Sequence, residues 1–245
     1  MAPGFHVVGH LHRGDRLDVY DVWSVERACR VIGKTLRPDS SGNAVRQALL
    51  QEGRLLRRLT HPHIVRAYEV HTHPQPLVIL EALPGETLGR LIERGGPMPL
   101  EHLAFLGLHL CSALTYLHGQ EILHLDLTPG NIIISHGLAR LIDLSLAQPP
   151  GVTGGGSGTP GYRAREQAAG GKLTKATDIA GLGAVLVFAS LGQAPTDNTS
   201  GAMPESGKRL APSLRLVLEA CLTPQPDDRP ALDDVAACLL EFLPA

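Results

Sequence analysis

Asp126, Asn131 and Asp143 interrupt an otherwise apolar stretch spanning residues 123–147. Residues 131–135 and 138–142 flank the turn-forming pair His136-Gly137, a pattern that predicts a short hairpin. Asn131 and Asp143 would stand at its two open ends. An amide oxygen and a carboxylate converging there suit a hard divalent cation such as Mg²⁺. Asp126, just upstream, is placed to orient a nucleophile. The plainer alternative is a polar hairpin whose acids face solvent.

Two further residues invite the same kind of reading. Lys34 ends an alternating run and is the only lysine among the first 171 residues. Glu52 falls on the apolar face of a predicted helix, three residues after Leu49 and four before Leu56. A carboxylate on a buried face is costly unless paired, and Lys34 is the candidate partner. A solvated strand-end lysine and a glutamate at the edge of the stripe are the bland versions of both observations.

The elements that would position these residues follow from periodicity. Phe5-His-Val-Val, Val19-Tyr-Asp-Val-Trp and Cys29–Leu36 alternate as strands, with residues 12–18 as the turn between the first two. Residues 43–59 predict an amphipathic helix with Val45, Ala48, Leu49, Leu55, Leu56 and Leu59 on one face. Strands are expected over 64–70 and 77–80. Near residue 83 the pattern turns from strand-rich to helix-rich, so the domains are read as 1–83 and 84–245. A long helix is predicted over 100–118, with Gly119 as its cap and His102, His109 and His118 at surface or edge positions. Residues 149–161 read as a Gly/Pro-rich loop, 177–191 as a buried helix opened by Thr177-Asp178, and 196–212 as a polar loop. Helices over 213–223 and 231–242 close the chain.

Composition narrows the function classes. A chain of 245 residues with 43% hydrophobic content suits one large domain or two lobes sharing a cleft. A net charge of −2 argues against a general polyanion binder, so no nucleic-acid partner is expected. The apolar run 179–191 is too short to span a bilayer, and no membrane partner is expected. The four cysteines have no metal-ligand spacing, which suits free thiols in a reducing cytoplasm. A homodimer is left open.

Taken together, these residues resemble a eukaryotic-type protein kinase of the kind bacteria use as Ser/Thr kinases. The resemblance runs the length of the chain. Cys29–Leu36 resembles the third strand with its ATP-binding lysine at Lys34, and Glu52 resembles its helical partner. His124-Leu-Asp126 with Asn131 resembles the catalytic loop, and Asp143-Leu-Ser the metal-binding Asp-Phe-Gly. Residues 158–166, ending at Glu166, resemble the end of the activation segment. Asp178 resembles the aspartate that opens the buried large-lobe helix, and Arg229 the arginine that pairs with Glu166.

The resemblance implies a two-lobed α+β fold, with a β-rich N-lobe and a mainly helical C-lobe, and a protein substrate. It implies ATP and Mg²⁺ as cofactors. Lys34 would hold the α/β-phosphates, oriented by Glu52, and Asn131 and Asp143 would hold Mg²⁺. Asp126 would position the accepting hydroxyl. Adenine would meet backbone groups of Glu81 and Leu83, with Leu80 guarding the back pocket. Thr159 would bond to Asp126, as in Ser/Thr kinases.

Departures from the pattern are equally specific. In the glycine-rich loop only Gly14 remains, while Asp15 and Asp18 put carboxylates near a triphosphate, offset by Arg13 and Arg16. Leu125 replaces an arginine that normally receives an activation-loop phosphate. Thr128 replaces a lysine, Ser145 a glycine and Arg165 a proline, and a substrate-docking helix is expected to be curtailed between 194 and 213. These changes motivate a second reading, a pseudokinase that binds nucleotide or acts as a scaffold. The His-x-Asp-x-x-x-x-Asn spacing also suits a small-molecule kinase of the aminoglycoside or choline type.

Overall fold

The structure, a computed structural model, describes residues 2–39, 42–193 and 203–244. The chain divides into two compact units, Met1–Pro84 with Asp143–Ser145, and Gly85–Ile142 with Leu146–Ala245.

The first unit is an antiparallel sheet with one helix. Its strands are β1 (Phe5–Arg13), β2 (Leu17–Ser24), β3 (Cys29–Leu36), β4 (Ala67–His71) and β5 (Leu77–Glu81), in the order β1-β2-β3-β5-β4. Alternation puts Val22 and Val31 opposite one another and, with Leu77 and Ile79, into one core. Helix α1 (Asn43–Arg58) packs on β4 and β5 through Leu49, Leu50 and Leu56, all buried. Ala48, expected on that face, is exposed. Gly53 sets the close approach: a Cβ there would lie 2.7 Å from a methyl of Val78 and 2.9 Å from one of Val70. That closeness brings the neighbouring Glu52 within reach of β3.

Two boundaries in this unit differ from expectation. The first two strands run on to Arg13 and from Leu17, so the turn shrinks to Gly14–Arg16, closed by Gly14 N–H donating to Leu17 C=O at 2.9 Å. The fourth strand begins at Ala67 rather than 64, although Ile64 and Val65 are still buried.

The second unit is mainly helical. A short strand β6 (Glu86–Thr87) leads into α2 (Leu88–Gly95), capped by the Thr87 hydroxyl accepting from Arg90 N–H at 3.3 Å. Periodicity did not foresee either element. Helix α3 (Leu100–Gly119) buries Leu103, Leu106, Leu110, Leu114 and Leu117. Length and composition alone would let α3 cross a membrane, but here it is a core helix. Its cap is Gln120, and the left-handed residue that follows is Glu121 rather than Gly119.

The expected hairpin is present: β7 (Ile132–Ser135) and β8 (Leu138–Leu141) pair in register, joined by His136 and Gly137, both at positive φ. β6 extends this sheet on its β7 side. Beyond it lie α4 (Arg165–Ala169), α5 (Lys175–Leu191), α6 (Pro212–Cys221) and α7 (Leu232–Leu240). Helix α5 starts at Lys175, before Thr177-Asp178, because Thr174 and Thr177 form a reciprocal capping box. Of the loop expected over 196–212, residues 196–202 lie outside the described residues, as does much of the 194–213 stretch where a curtailed helix is expected. Residues 205–209 form a 3₁₀ turn rather than open loop.

Candidate active site

The residues singled out by sequence fall into two sets, one in each unit. In the first, Lys34 Nζ donates to Glu52 Oε1 and Oε2, both at 2.9 Å, and to Asp143 Oδ2 at 2.8 Å. All three ammonium N–H groups are thereby used on carboxylates. The Leu144 N–H donates to Glu52 Oε1 at 3.3 Å and the Ser145 N–H to Asp143 Oδ1 at 2.8 Å, so the backbone after Asp143 fixes both acids.

Burial alone would lower the lysine, but Glu52 and Asp143 outweigh it and hold Lys34 protonated well above its usual range. For Glu52 burial wins: its carboxyl is pushed up to about 7 against the pull of Lys34. Burial would also raise Asp143, yet Lys34 and the Ser145 N–H keep it below the ordinary carboxylate range. One buried cation is thus shared unequally between two acids.

Gly14 sits in the β1–β2 turn, where Arg37 Nη1 braces its carbonyl at 3.1 Å. The expected clash of Asp18 with phosphate is corrected. Its side chain is 1% exposed and accepts from Arg13 Nε at 3.2 Å, with His10 Nε2 at 3.0 Å on the same oxygen. Only Asp15 of the two stays exposed. Glu81 ends β5, its N–H donating to Arg66 C=O at 2.9 Å, and Leu83 lies two residues beyond.

In the second unit the set is built around Asp126. Thr159 donates to Asp126 Oδ1 twice, from its hydroxyl at 2.9 Å and its N–H at 3.2 Å. Asn131 Nδ2 donates to Asp126 Oδ2 at 2.9 Å and to the Asp126 carbonyl at 3.0 Å. This directs the Asn131 amide oxygen away from Asp126, as a metal ligand requires. Ile142 N–H donates to Asn131 C=O at 3.0 Å and closes the hairpin one residue before Asp143.

The Asp126 loop is held from beneath by Asp178. Its Oδ2 accepts from His124 N–H at 2.9 Å and its Oδ1 from Leu125 N–H at 2.8 Å. His124 Nδ1 in turn accepts from Asp126 N–H at 3.2 Å. His118 was expected at the surface. It is instead 5% exposed, with Nε2 2.8 Å from Asp178 Oδ2, so the proton sits on that nitrogen. Its spacing, four residues after Leu114 on a buried stripe, carried that signal. Gln167, also missed, donates from Nε2 to Leu125 C=O at 2.7 Å. Leu125 itself has φ +64° and packs with Leu123 and Leu173 in an apolar cluster, where its aliphatic side chain offers no donor to a phosphate. Thr128 is buried.

Glu166 and Arg229 form a bidentate pair, Nη1 to Oε1 at 2.7 Å and Nη2 to Oε2 at 2.8 Å. The remaining donors go to the carbonyls of Thr223, Ala176 and Pro224. Burial would raise Glu166, but Arg229 overrides it and holds the carboxyl low.

An amide oxygen and a carboxylate are the hard oxygen donors that Mg²⁺ takes, so Asn131 and Asp143 are each suited by chemistry to that ion. Among the described residues no group of three His, Cys, Asp or Glu side chains gathers as an all-protein metal site.

Comparison with known proteins bears on the family of the chain. Residues 5–239 match the family model described as a protein kinase domain. The chain is 30% identical to the serine/threonine-protein kinase PkaA of Streptomyces coelicolor, an alignment covering 85% of this chain and 41% of that protein. It is 31% identical to the serine/threonine-protein kinase PknK of Mycobacterium tuberculosis, covering 94% and 23%. It is 32% identical to the DNA damage-responsive serine/threonine-protein kinase RqkA of Deinococcus radiodurans, covering 81% and 30%. The chain spans less than half the length of these relatives.

Proposed function

Because this chain belongs to the protein kinase family, we propose that it is an ATP- and Mg²⁺-dependent kinase that phosphorylates serine or threonine hydroxyls of proteins. The observation that carries this reading is the pair of hydrogen bonds that Thr159 donates to Asp126. It ties the segment resembling a protein-substrate platform to the carboxylate that handles the nucleophile. The buried Glu166–Arg229 pair, which anchors the same segment, also favours a protein substrate over a small molecule. In this reading the chain works in the cytoplasm, with neither nucleic acid nor membrane as partner.

The chemistry needs little covalent help from the protein. Two of the lone pairs on Asp126 Oδ1 and one on Oδ2 are occupied, so Oδ2 keeps acceptor capacity for a substrate hydroxyl. Accepting that hydrogen bond would aim the oxygen lone pair at the γ-phosphorus of ATP. Asp126 would take up the hydroxyl proton as the new P–O bond forms and the bond from the γ-phosphorus to the bridging oxygen breaks, with ADP leaving. Lys34 supplies a fixed positive charge to the phosphate oxygens, and Glu52 keeps it aimed. Asn131 and Asp143 would hold Mg²⁺, which when bound neutralises charge on the phosphates.

The test is Mg²⁺-dependent transfer from ATP to itself or to a generic protein, by wild type beside Asp126→Asn. Wild type is expected to incorporate phosphate and the variant at least about a hundredfold less. Equal incorporation by both would overturn the reading. ATP binding without transfer by either would establish the pseudokinase instead.

A further inference from the structure

Residues 161–175 carry four cations, Arg163, Arg165, Lys172 and Lys175, in a chain whose net charge is −2. The acids around them are already committed. Glu166 is bidentate to Arg229, Asp178 holds the Asp126 loop, and Asp126 itself is bonded by Asn131 and Thr159. Lys175 has Glu121 at 3.9 Å. Among the described residues no carboxylate forms an ion pair with Arg163, Arg165 or Lys172.

Arg163 is the one of these three that lines the same small cavity as Asp126, Thr159, Tyr162 and Gln167. Its place is set by the backbone: Arg163 N–H donates to Thr159 C=O at 3.0 Å, and Thr159 is the residue bonded to Asp126. Its Nη1 donates to Gly156 C=O at 2.8 Å, which spends one of five guanidinium donors and orients the rest. A guanidinium held at the cavity that Asp126 lines, with donors to spare and no carboxylate of its own among the described residues, is complementary to a carboxylate brought in by another molecule.

We infer that Arg163 selects substrates bearing an aspartate or glutamate close in sequence to the accepting hydroxyl, because it lines the same cavity as Asp126. Arg165 and Lys172 add a diffuse positive field that favours the same peptides without fixing a position. The inference rests on the protein kinase reading above and names the substrate class of that site.

The experiment uses the full chain, ATP, Mg²⁺ and serine or threonine peptides differing only in flanking Glu, Ala or Lys, with a generic protein beside them. Wild type is expected to favour the Glu over the Lys peptides by at least about fivefold in kcat/KM. Arg163→Glu is expected to reverse the order, and Arg163→Met, which keeps the apolar stem, to bring the ratio near one should the reversal variant fail to fold. Labelling of the generic protein without a Glu preference among the peptides, or with no peptide labelled, overturns the inference alone. An unchanged preference in Arg163→Met overturns it too. Absence of transfer to protein and peptide alike overturns the kinase reading and the inference together.

Discussion

Two buried groupings of cation and carboxylate, Arg229 with Glu166 and Lys34 with Glu52 and Asp143, look alike and are built on opposite principles. Arg229 faces one carboxylate, and its five donors are all used, two on Glu166 and three on backbone carbonyls. Charge and hydrogen bonds both balance, so nothing is left to exchange. Lys34 faces two carboxylates, Glu52 and Asp143, and one of them stays under-compensated, as the raised Glu52 shows. A spherical ammonium can swap one oxygen for another at little geometric cost, whereas a guanidinium fork cannot. The balanced pair holds structure; the unbalanced one is fit to receive phosphate and a second cation.

The largest expected effect tests the balanced side. Arg229→Ala leaves Glu166 buried without a partner and strips donors from three carbonyls. Breaking such a pair costs about 3–5 kcal/mol, a large part of a typical domain's stability. Urea unfolding at pH 7 measures it. Arg229→Lys is expected to recover only a minor share, because an ammonium cannot serve five acceptors. A loss below about 1 kcal/mol would erase the distinction drawn between the two pairs.

Lys34→Met tests the unbalanced side. Phosphate transfer is expected to fall at least about a hundredfold, while the stability loss at pH 6 stays below about 3 kcal/mol. The reason is that Glu52, already pushed up to about 7, can take a proton once its cation is gone. The sign follows from proton counting. Without Lys34 the folded-state pKa of Glu52 rises further above its unfolded value, so between the two the folded protein binds more protons than the unfolded. Stability therefore falls as pH rises through neutrality. Unfolding midpoints at pH 6 and pH 8 should show the variant losing ground to wild type at the higher pH. A gap independent of pH would mean that Glu52 is not the group responding.

Much of this contrast was legible in the sequence. Lys34 stands out because lysine is rare in the chain, and Glu52 because a carboxylate interrupts an apolar stripe. The hairpin of β7 and β8 was readable from its turn, and the core of α3 from its spacing. What escaped depends on tertiary partners. Asp18 reads as a solvated loop acid until β1 lengthens and folds His10 and Arg13 over it. Helices α2 and α4 are too short for periodicity to show, and with α4 went Gln167 and its bond to Leu125. Nothing local marks Leu125 for a left-handed backbone. That conformation is imposed by Asp178 and Gln167, residues 53 and 42 positions away in sequence.

The smallest expected effect returns to the balanced pair and asks whether its charge matters apart from its shape. Glu166→Gln keeps the volume and one good acceptor but turns a donor toward Arg229. The expected cost at pH 7 is about 1–3 kcal/mol, the worth of a charge-assisted hydrogen bond. In wild type Arg229 overrides burial and holds Glu166 below its unfolded value, so this contribution is present above about pH 4 and is lost as pH falls through the folded-state pKa. The variant has no such titration. The stability curves of the two proteins should therefore converge on acidification below about pH 4, with wild type losing its lead. If the curves run parallel down to that pH, the pair acts through packing and geometry, and its charge balance is incidental.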